Sequence, residues 1–342
     1  MTTSERVPSI SVVIITYNGR DMLVDALRCM MRQETRGRFT YEIVVVDDRS
    51  TDGTGEAVDA LSIESPVPLR YVLADGRGVP AARNRGFAEC RSDYIAFFDQ
   101  DQLAEPDWLE ALFDVAERFN ADVVDGPRDL LLPKEELDRL NGVCRAHLGE
   151  IPGGGEPRPI TTRTGSCTGN QLIRRGVVEF VGDFDERILR GGEEWDYFRR
   201  VRRAGFTFWF APKAVVHHVI PPERLSERFF AWRSVRNGQS FAYRDLRDWG
   251  LAKTTLSCLA RIAKSTLYQA PLWAIATLRG NRMDALGHRC MMLRTAGYAG
   301  RTLSFHAPRL FPEDRLFARF ELRREKEATA PDDPKVTGAG VP

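Results

Sequence analysis

Residues Tyr94 to Trp108 read YIAFFDQDQLAEPDW. The run Tyr94 to Phe98 has the length and aromatic content of an interior strand, and it stops at two aspartates, Asp99 and Asp101. Aspartate is depleted from strands and costly to bury unpaired, so packing alone does not account for the pair. A positive partner at the end of that strand does.

The same pattern recurs upstream. ISVVIIT (Ile10 to Thr16) is a β-rich run that ends in TYN, and YEIVVVDD (Tyr41 to Asp48) runs into DDRS. LRYVL (Leu69 to Leu73) is a third short apolar run. Helical stretches separate them. Asp21 is placed to cap a helix through about Arg32, VPAARNRGFAEC carries Pro80 in its first turn, and Asp107 to Phe119 forms a further helix. This alternation predicts an α/β fold, a doubly wound layer with a mostly parallel sheet. Ligands in such sheets sit at the carboxyl ends of the strands. TYN, DDRS and DQD all fall there, and that coincidence locates a site.

Composition bounds the function. A formal net charge of +1 over 342 residues argues against a nucleic-acid partner, which calls for a strong basic excess. The six cysteines are far apart and form no CxxC pair, so they read as small hydrophobes in a reducing compartment. The opening MTTSERVPSISVVIITYN starts polar and lacks the features of a secretory leader. The longest apolar candidate, LYQAPLWAIATL (Leu267 to Leu278), falls short of the ~18–20 residues of a membrane span and contains Gln269 and Pro271. The expectation is a cytoplasmic protein, with room for peripheral attachment to the inner face of the cell membrane.

Beyond the first four strands, Pro127 to Thr164 loses periodicity, and IPGGGEPRP reads as a flexible, substrate-facing loop. GGEEWDYFRRVRRAGF reads as a helix from about Glu193 to Ala204, and TFWFAPKAVVHHV as closing strands. From Pro222 to about Phe305 the pattern is helical. Between Leu251 and His306 eight Lys or Arg side chains face one acid, Asp284, among Leu, Trp, Met and Tyr. The tail from Glu321 is charged and rich in Pro and Gly, a disordered composition. The organisation expected is a catalytic region over 1–222, a basic helical region over 223–320 and a tail over 321–342.

Each polar cluster has a plain structural reading beside a chemical one. If extended geometry persists, Asp99 and Asp101 point the same way and reach one cation, where carboxylate oxygens suit Mg²⁺ or Mn²⁺ bridged to phosphates; otherwise they cap the helix near Pro106. DDRSTDGT is an Asx-rich turn or a ligand-binding corner. Tyr17 is a core-edge aromatic or a stacking platform. Glu193, Glu194 and Asp196 favour a helix N-terminus through its dipole, or carry chemistry. His217 and His218 are a surface pair or metal ligands.

Taken in order, ISVVIITYNGRDMLVDAL, EIVVVDDRSTDGT, GVPAARNRGFAEC, YIAFFDQDQLAEPDWLE, TGNQLIRRGVVEFVGDFDE, GGEEWDYFRRVRRAGF and FAPKAVVHHV resemble the nucleotide-sugar domain of family 2 glycosyltransferases of the GT-A type, over about Ser9 to His218. The resemblance implies that Thr16, Tyr17 and Asp48 hold the base and ribose of a donor nucleotide. It implies that Arg83 and Asn84 face its phosphates, with Trp195 lining the substrate side. Asp99 and Asp101 match the family's DxD, Asp101 as a direct ligand of Mn²⁺ or Mg²⁺ and Asp99 toward ribose or metal. His218 matches a closing metal ligand, with His217 as the adjacent alternative. Glu194 stands at the position of the catalytic base. The family usually shows Glu-Asp where this chain has Glu193-Glu194, which leaves either glutamate as the base.

The chemistry implied is a single displacement with inversion at C1. A sugar leaves a nucleoside diphosphate, UDP being the commonest, for a hydroxyl of a saccharide or lipid-linked acceptor. The QxxRW motif of processive synthases is absent, so one sugar is added per encounter. Bacterial surface polysaccharide or glycoconjugate synthesis is the implied setting. A basic helical region with interspersed Trp and Leu suits an anionic membrane surface. The contrasting expectation is a catalytically silent nucleotide-sugar-binding subunit of a polysaccharide assembly complex.

Overall fold

The computed structural model describes residues 6–161, 168–188 and 192–311. The charged tail from Glu321, and positions 162–164 at the end of the loop expected after Pro127, lie outside the described residues.

The strands are β1 Ser9–Thr16, β2 Thr40–Asp47, β3 Leu69–Leu73, β4 Tyr94–Asp99, β5 Gln102–Ala104, β6 Val123–Asp125, β7 Arg128–Leu131, β8 Arg158–Pro159, β9 Asn170–Arg174, β10 Phe208–Phe210 and β11 Val216–Val219. The α-helices are α1 Arg20–Met30, α2 Thr54–Glu64, α3 Val79–Glu89, α4 Trp108–Arg118, α5 Lys134–Arg139, α6 Gly142–His147, α7 Arg175–Val181, α8 Glu193–Arg203, α9 Glu227–Lys264, α10 Ala270–Leu278 and α11 Arg282–His306.

An eight-stranded sheet runs in the order β3-β2-β1-β4-β9-β6-β10-β8, and a smaller sheet in the order β5-β11-β7. The first four strands are parallel. β9 then enters antiparallel to both β4 and β6, so the sheet is mixed where the sequence suggested a mostly parallel one. Helices cover both faces because the strands are apolar on both. Ile10, Val12 and Ile14 pack with Leu23, Leu27 and Met30 of α1 and with Trp108 and Leu112 of α4. Val13, Ile95 and Phe97 pack on the other side with Phe87 of α3 and with Tyr197 and Val201 of α8. Each such fully buried aliphatic or aromatic side chain contributes about 1.5–3 kcal/mol.

Chain order reverses between β1 and β4. β2 and β3 extend the sheet on one side of β1, and β4 returns on the other, so the crevice for a ligand opens at the carboxyl ends of β1 and β4. The register aligns those ends, with Thr16 opposite Asp47 and Ile15 opposite Asp99. Buried Asn170 closes the far side of this layer. Its carbonyl accepts from Trp108 Nε1 at 2.8 Å, and its amide nitrogen donates to the Pro127 and Ala214 carbonyls at 2.7 Å each.

Three local expectations change. Asp21 does not cap α1; it lies in the first turn, behind Gly19. The segment after Pro127 is not a single loop but contains β7, α5, α6 and β8. Cys144 and Cys290, distant in sequence, are free thiols in one buried apolar cluster that joins α6 to α11.

α9 is two helices joined at Gly250, where φ of 77° and ψ of 174° break the run. The chain doubles back there, so Arg261 on the 251–264 arm comes 3.4 Å from Asp245 on the 227–249 arm and stacks on Tyr298 of α11. The first arm crosses α11 at backbone contact. A Cβ on Gly238 would run into the Arg294 carbonyl oxygen, and one on Gly297 into that of Val235. No helix among the described residues is long and apolar enough to cross a membrane.

Candidate active site

The ends of β1, β2 and β4 are tied together by short polar links. Gln100, between the two aspartates, accepts from Thr16 Oγ1 at 2.5 Å and from the Tyr17 amide at 3.3 Å. Asn18 bridges to the next loop, taking Ser50 Oγ as acceptor at 2.8 Å and accepting from the Thr51 amide at 2.8 Å. Thr16 is buried, while the Tyr17 ring is exposed at the rim.

The two acids ending β2 behave differently. Asp47 is saturated: one oxygen accepts from the amide and hydroxyl of Ser50, the other from Tyr71 Oη at 2.5 Å. Asp48 accepts from the Gly78 amide through Oδ2 at 2.9 Å, and its buried Oδ1 finds no hydrogen-bond partner among the described residues. A buried acceptor without a donor costs about 1–3 kcal/mol unless a ligand supplies one.

Strand β4 ends at Asp99 and the chain turns at Gln100 and Asp101, so the extended geometry that would align the two side chains does not persist between them, though the two carboxyls remain electrostatic neighbours. Burial and the neighbouring Asp101 charge push the Asp99 carboxyl up. Asp101 lies beside β11, because the β5–β11 pairing sets His218 opposite Gln102. His218 Nε2 is 3.2 Å from Asp101 Oδ2, while its Nδ1 faces the Leu148 carbonyl at 3.1 Å. With its proton on Nδ1 for that carbonyl, the ring leaves Nε2 as an acceptor beside the carboxylate, open to a donor or a cation that both can share. Arg224, on the short turn after β11, brings Nη1 to 3.1 Å from Asp101 Oδ2 and 2.9 Å from His218 Nε2. Burial alone would raise the Asp101 carboxyl, but the Arg224 guanidinium, joined by His218 when its ring carries both protons, more than offsets it and holds it below the usual range. His217 points to the opposite side, 3.7 Å from Glu105.

No group of three or more His, Cys, Asp or Glu side chains able to hold a metal occurs among the described residues. The Asp101–His218 pair nonetheless fits a hard divalent cation: one carboxylate and one imidazole lone pair, with the rest of the shell left to phosphate oxygens.

At the N-terminus of α8, Glu193 and Glu194 share one guanidinium. Arg83, 6% exposed, donates from Nη1 to Glu193 at 3.0 Å and from Nη2 to Glu194 at 2.7 Å, with its plane 5.5 Å from the Phe184 ring. Thr168 Oγ1 also donates to Glu194. Burial and the charge of Glu194 push Glu193 up. Burial would raise Glu194 too, but Arg83, Thr168 and Arg128 outweigh it and hold that carboxyl below the ordinary range. Asn84 does not join this cluster; its amide brackets the backbone of Phe184 and reaches Glu186. Trp195 is half-buried, with the Arg199 guanidinium 5.2 Å from its ring. Asp99 feels Asp101, Arg128, Arg83 and Glu194 together, so the clusters form one electrostatic site.

Gln100, Arg128, Thr168 and Arg224 escaped the sequence reading. Gln100 carried a signal in its place between the aspartates. Thr168 and Arg224 carried none, since their positions depend on how β9 and β11 close the sheet.

A mixed sheet with acids and threonine gathered at the β1–β4 crevice, and a clamped carboxylate beside it, has the GT-A architecture of glycosyltransferases. The sequence model described as glycosyl transferase family 2 matches residues 11–179. The succinoglycan biosynthesis protein ExoM of Rhizobium meliloti is 30% identical over 239 residues, 68% of this chain and 73% of that protein. The glycosyltransferase AglE of Haloferax volcanii is 28% identical over 227 residues, 65% and 71% of the two chains. The mannosyltransferase PcManGT of Pyrobaculum calidifontis, solved with GDP-Man and Mn²⁺, shares the fold at a TM-score of 0.57 and 18% identity, covering 89% of each chain. The protein belongs to glycosyltransferase family 2 and is a glycosyltransferase.

Proposed function

We propose that the chain is a divalent-metal-dependent, inverting enzyme that moves one sugar from a nucleoside-diphosphate donor, UDP first among them, to a saccharide or lipid-linked acceptor. What carries this reading is the geometry at the crevice, where Asp101 is paired with His218 and Arg224 and Glu194 is clamped by Arg83 and Thr168; the carboxyl environments agree with it. Asp101 and Glu194 are held ionised by cationic partners, whereas their neighbours Asp99 and Glu193 are pushed toward the neutral form. Environments that drive paired carboxyls apart mark assigned roles. The polysaccharide setting is supported by the likeness to ExoM.

In this mechanism Asp48 Oδ1 takes a hydrogen bond from the donor's base or ribose, with Thr16 and Tyr17 beside it. Asp101 and His218 Nε2 would hold the cation beside the diphosphate, and Asp99 would border the ribose. A divalent cation there supplies Lewis-acid stabilisation of charge on the departing diphosphate. Glu194, already ionised, accepts the proton of the attacking hydroxyl as the C1–O bond to phosphate breaks. Arg83 and Thr168 keep its carboxylate in one orientation, and Trp195 offers a flat apolar wall to a sugar. One base opposite one leaving group gives inversion. A thermal-shift series with UDP, dTDP and GDP, each with Mn²⁺ or EDTA, tests the donor site. A nucleotide at 100 times its dissociation constant is expected to stabilise by about 2.7 kcal/mol. Metal-dependent stabilisation by one nucleotide names the donor, and none by any of them would sink the reading.

The chemistry is assigned to 1–222, and attachment to the cytoplasmic membrane face to 223–320. Leu256, Leu259, Leu267 and Leu278 are 59–88% exposed on the outer arm of α9 and on the helical segment after it, beside exposed Lys253, Lys264 and Arg279. Apolar side chains ringed by cations complement an anionic bilayer. The native protein is expected to co-sediment with phosphatidylglycerol vesicles and not with phosphatidylcholine ones. Leu256→Glu with Leu259→Glu is expected to reduce the bound fraction at least about tenfold, since each buried leucine is worth about 1.5–3 kcal/mol.

A further inference from the structure

Arg224 stands where its charge has a consequence. Its guanidinium is the cationic partner of Asp101 and His218 at once, 3.1 Å from one and 2.9 Å from the other, and both contacts come from a single nitrogen, Nη1. The site offers Nη1 a carboxylate oxygen and the Nε2 lone pair that the Leu148 carbonyl leaves free. Those are the two donor atoms a divalent cation would use. A guanidinium nitrogen and a metal ion cannot occupy one position, and their charges repel.

We infer that Arg224 and the divalent cation are alternative occupants of the Asp101–His218 pair, exchanged when the donor binds. This rests on the metal-dependent reading above. Without the cation, Arg224 pairs with the carboxylate and donates to the imidazole, keeping both in place. A cation arriving with a nucleoside diphosphate displaces it, and the freed guanidinium pairs with the diphosphate, whose negative charge is then within its reach. Arg224 side-chain exposure of 34% leaves it room to turn. The turn Pro222–Leu225 that carries it ends at Ser226, whose hydroxyl caps α9 by accepting from the Phe229 amide, so the backbone under Arg224 is fixed while its side chain is not. By linkage, metal and nucleotide must each raise the other's affinity, because each relieves what the other must otherwise displace or leave unpaired.

The experiment is a calorimetric titration of Mn²⁺ into the full chain, with and without UDP (or whichever nucleotide the thermal-shift series selects). For the native protein, Mn²⁺ alone is expected to bind weakly and the nucleotide to tighten it at least about tenfold. For Arg224→Gln, Mn²⁺ alone is expected to bind roughly ten- to a hundredfold more tightly than to the native chain, the effect of removing one charged competitor, and the coupling to nucleotide to shrink. Arg224→Lys keeps the charge and is expected to stay near the native affinity, which separates competition from disturbed packing. Equal or weaker Mn²⁺ binding by Arg224→Gln, with native binding intact in the presence of nucleotide, overturns the exchange alone. Failure of the native chain to bind Mn²⁺ even with nucleotide overturns the metal-dependent reading, and the exchange with it.

Discussion

Glu194→Gln is expected to lower kcat about 10²–10⁴-fold while nucleotide affinity stays near native, the loss typical of removing a positioned general base. The amide keeps the size of the side chain and can still accept the hydrogen bonds of Arg83 Nη2 and Thr168, so the fold of the site survives. It cannot take a proton. Glu193→Gln, at the other prong of the same guanidinium, is expected to cost less than about tenfold, within the range of a lost charge-assisted hydrogen bond. The pH profile separates the two glutamates independently. A base must be ionised, so activity falls as pH drops through its pKa. Glu194 is held below the ordinary glutamate range and Glu193 is pushed above it. The acid limb of kcat/KM is therefore expected below pH ~4.3, the unperturbed glutamate value. A limb above that value, with Glu193→Gln the slower variant, would transfer the role to Glu193.

Asp101→Asn is expected to cost roughly 10³-fold in kcat/KM and to abolish stimulation by Mn²⁺. Several kcal/mol of charge stabilisation on the leaving diphosphate is at stake, and each 1.36 kcal/mol is about a factor of ten. Asp99→Asn is the comparison. The Asp99 carboxyl, raised by burial and the Asp101 charge, lies within the field of Arg128 and Arg83, and the hydrogen bonds of His218 and Arg224 with the acid pair fall on Asp101. Replacement of Asp99 is expected to weaken nucleotide affinity more than the response to Mn²⁺. Should Asp99→Asn lose the metal response while Asp101→Asn retains it, the assignment of ligands reverses. Titration of Mn²⁺ against activity for both variants decides the matter.

These assignments show what a sequence can carry. β1, β2 and β4 were legible because they are continuous runs of Val, Ile and Phe buried on both faces, and their polar ends marked the crevice before any coordinates did. β9 was less legible. NQLIR is short, and nothing in it specifies that it runs antiparallel between β4 and β6. Asp99 and Asp101 were read on the condition that extended geometry persists, and the strand ends at Asp99, so a period-two pattern does not set their relation. Asp47 and Asp48 look alike in sequence but differ in surroundings: Ser50 and Tyr71 saturate the first, and the second keeps an unmet acceptor. Arg83 was read as facing phosphate from its place near a helix start. In the fold it clamps both glutamates, a contact spanning more than a hundred residues that no local pattern encodes.

The corner at Gly250 has a bearing on how such an enzyme can be altered. The arm before it touches α11 backbone to backbone and packs Phe230 against α6 and Ile220, so almost any change of side-chain size there disturbs the catalytic body. The arm beyond it carries the exposed leucines, joined through one glycine whose φ of 77° suits no β-branched residue. The two arms are thus under unequal constraint. On the outer arm the exposed positions, Leu256 and Leu259 among them, can change without touching the crevice, whereas buried Thr254 and Cys258 and the Arg261 contacts to Asp245 and Tyr298 cannot. A single glycine corner gives the chain one helical face whose sequence is uncoupled from the chemistry at the sheet.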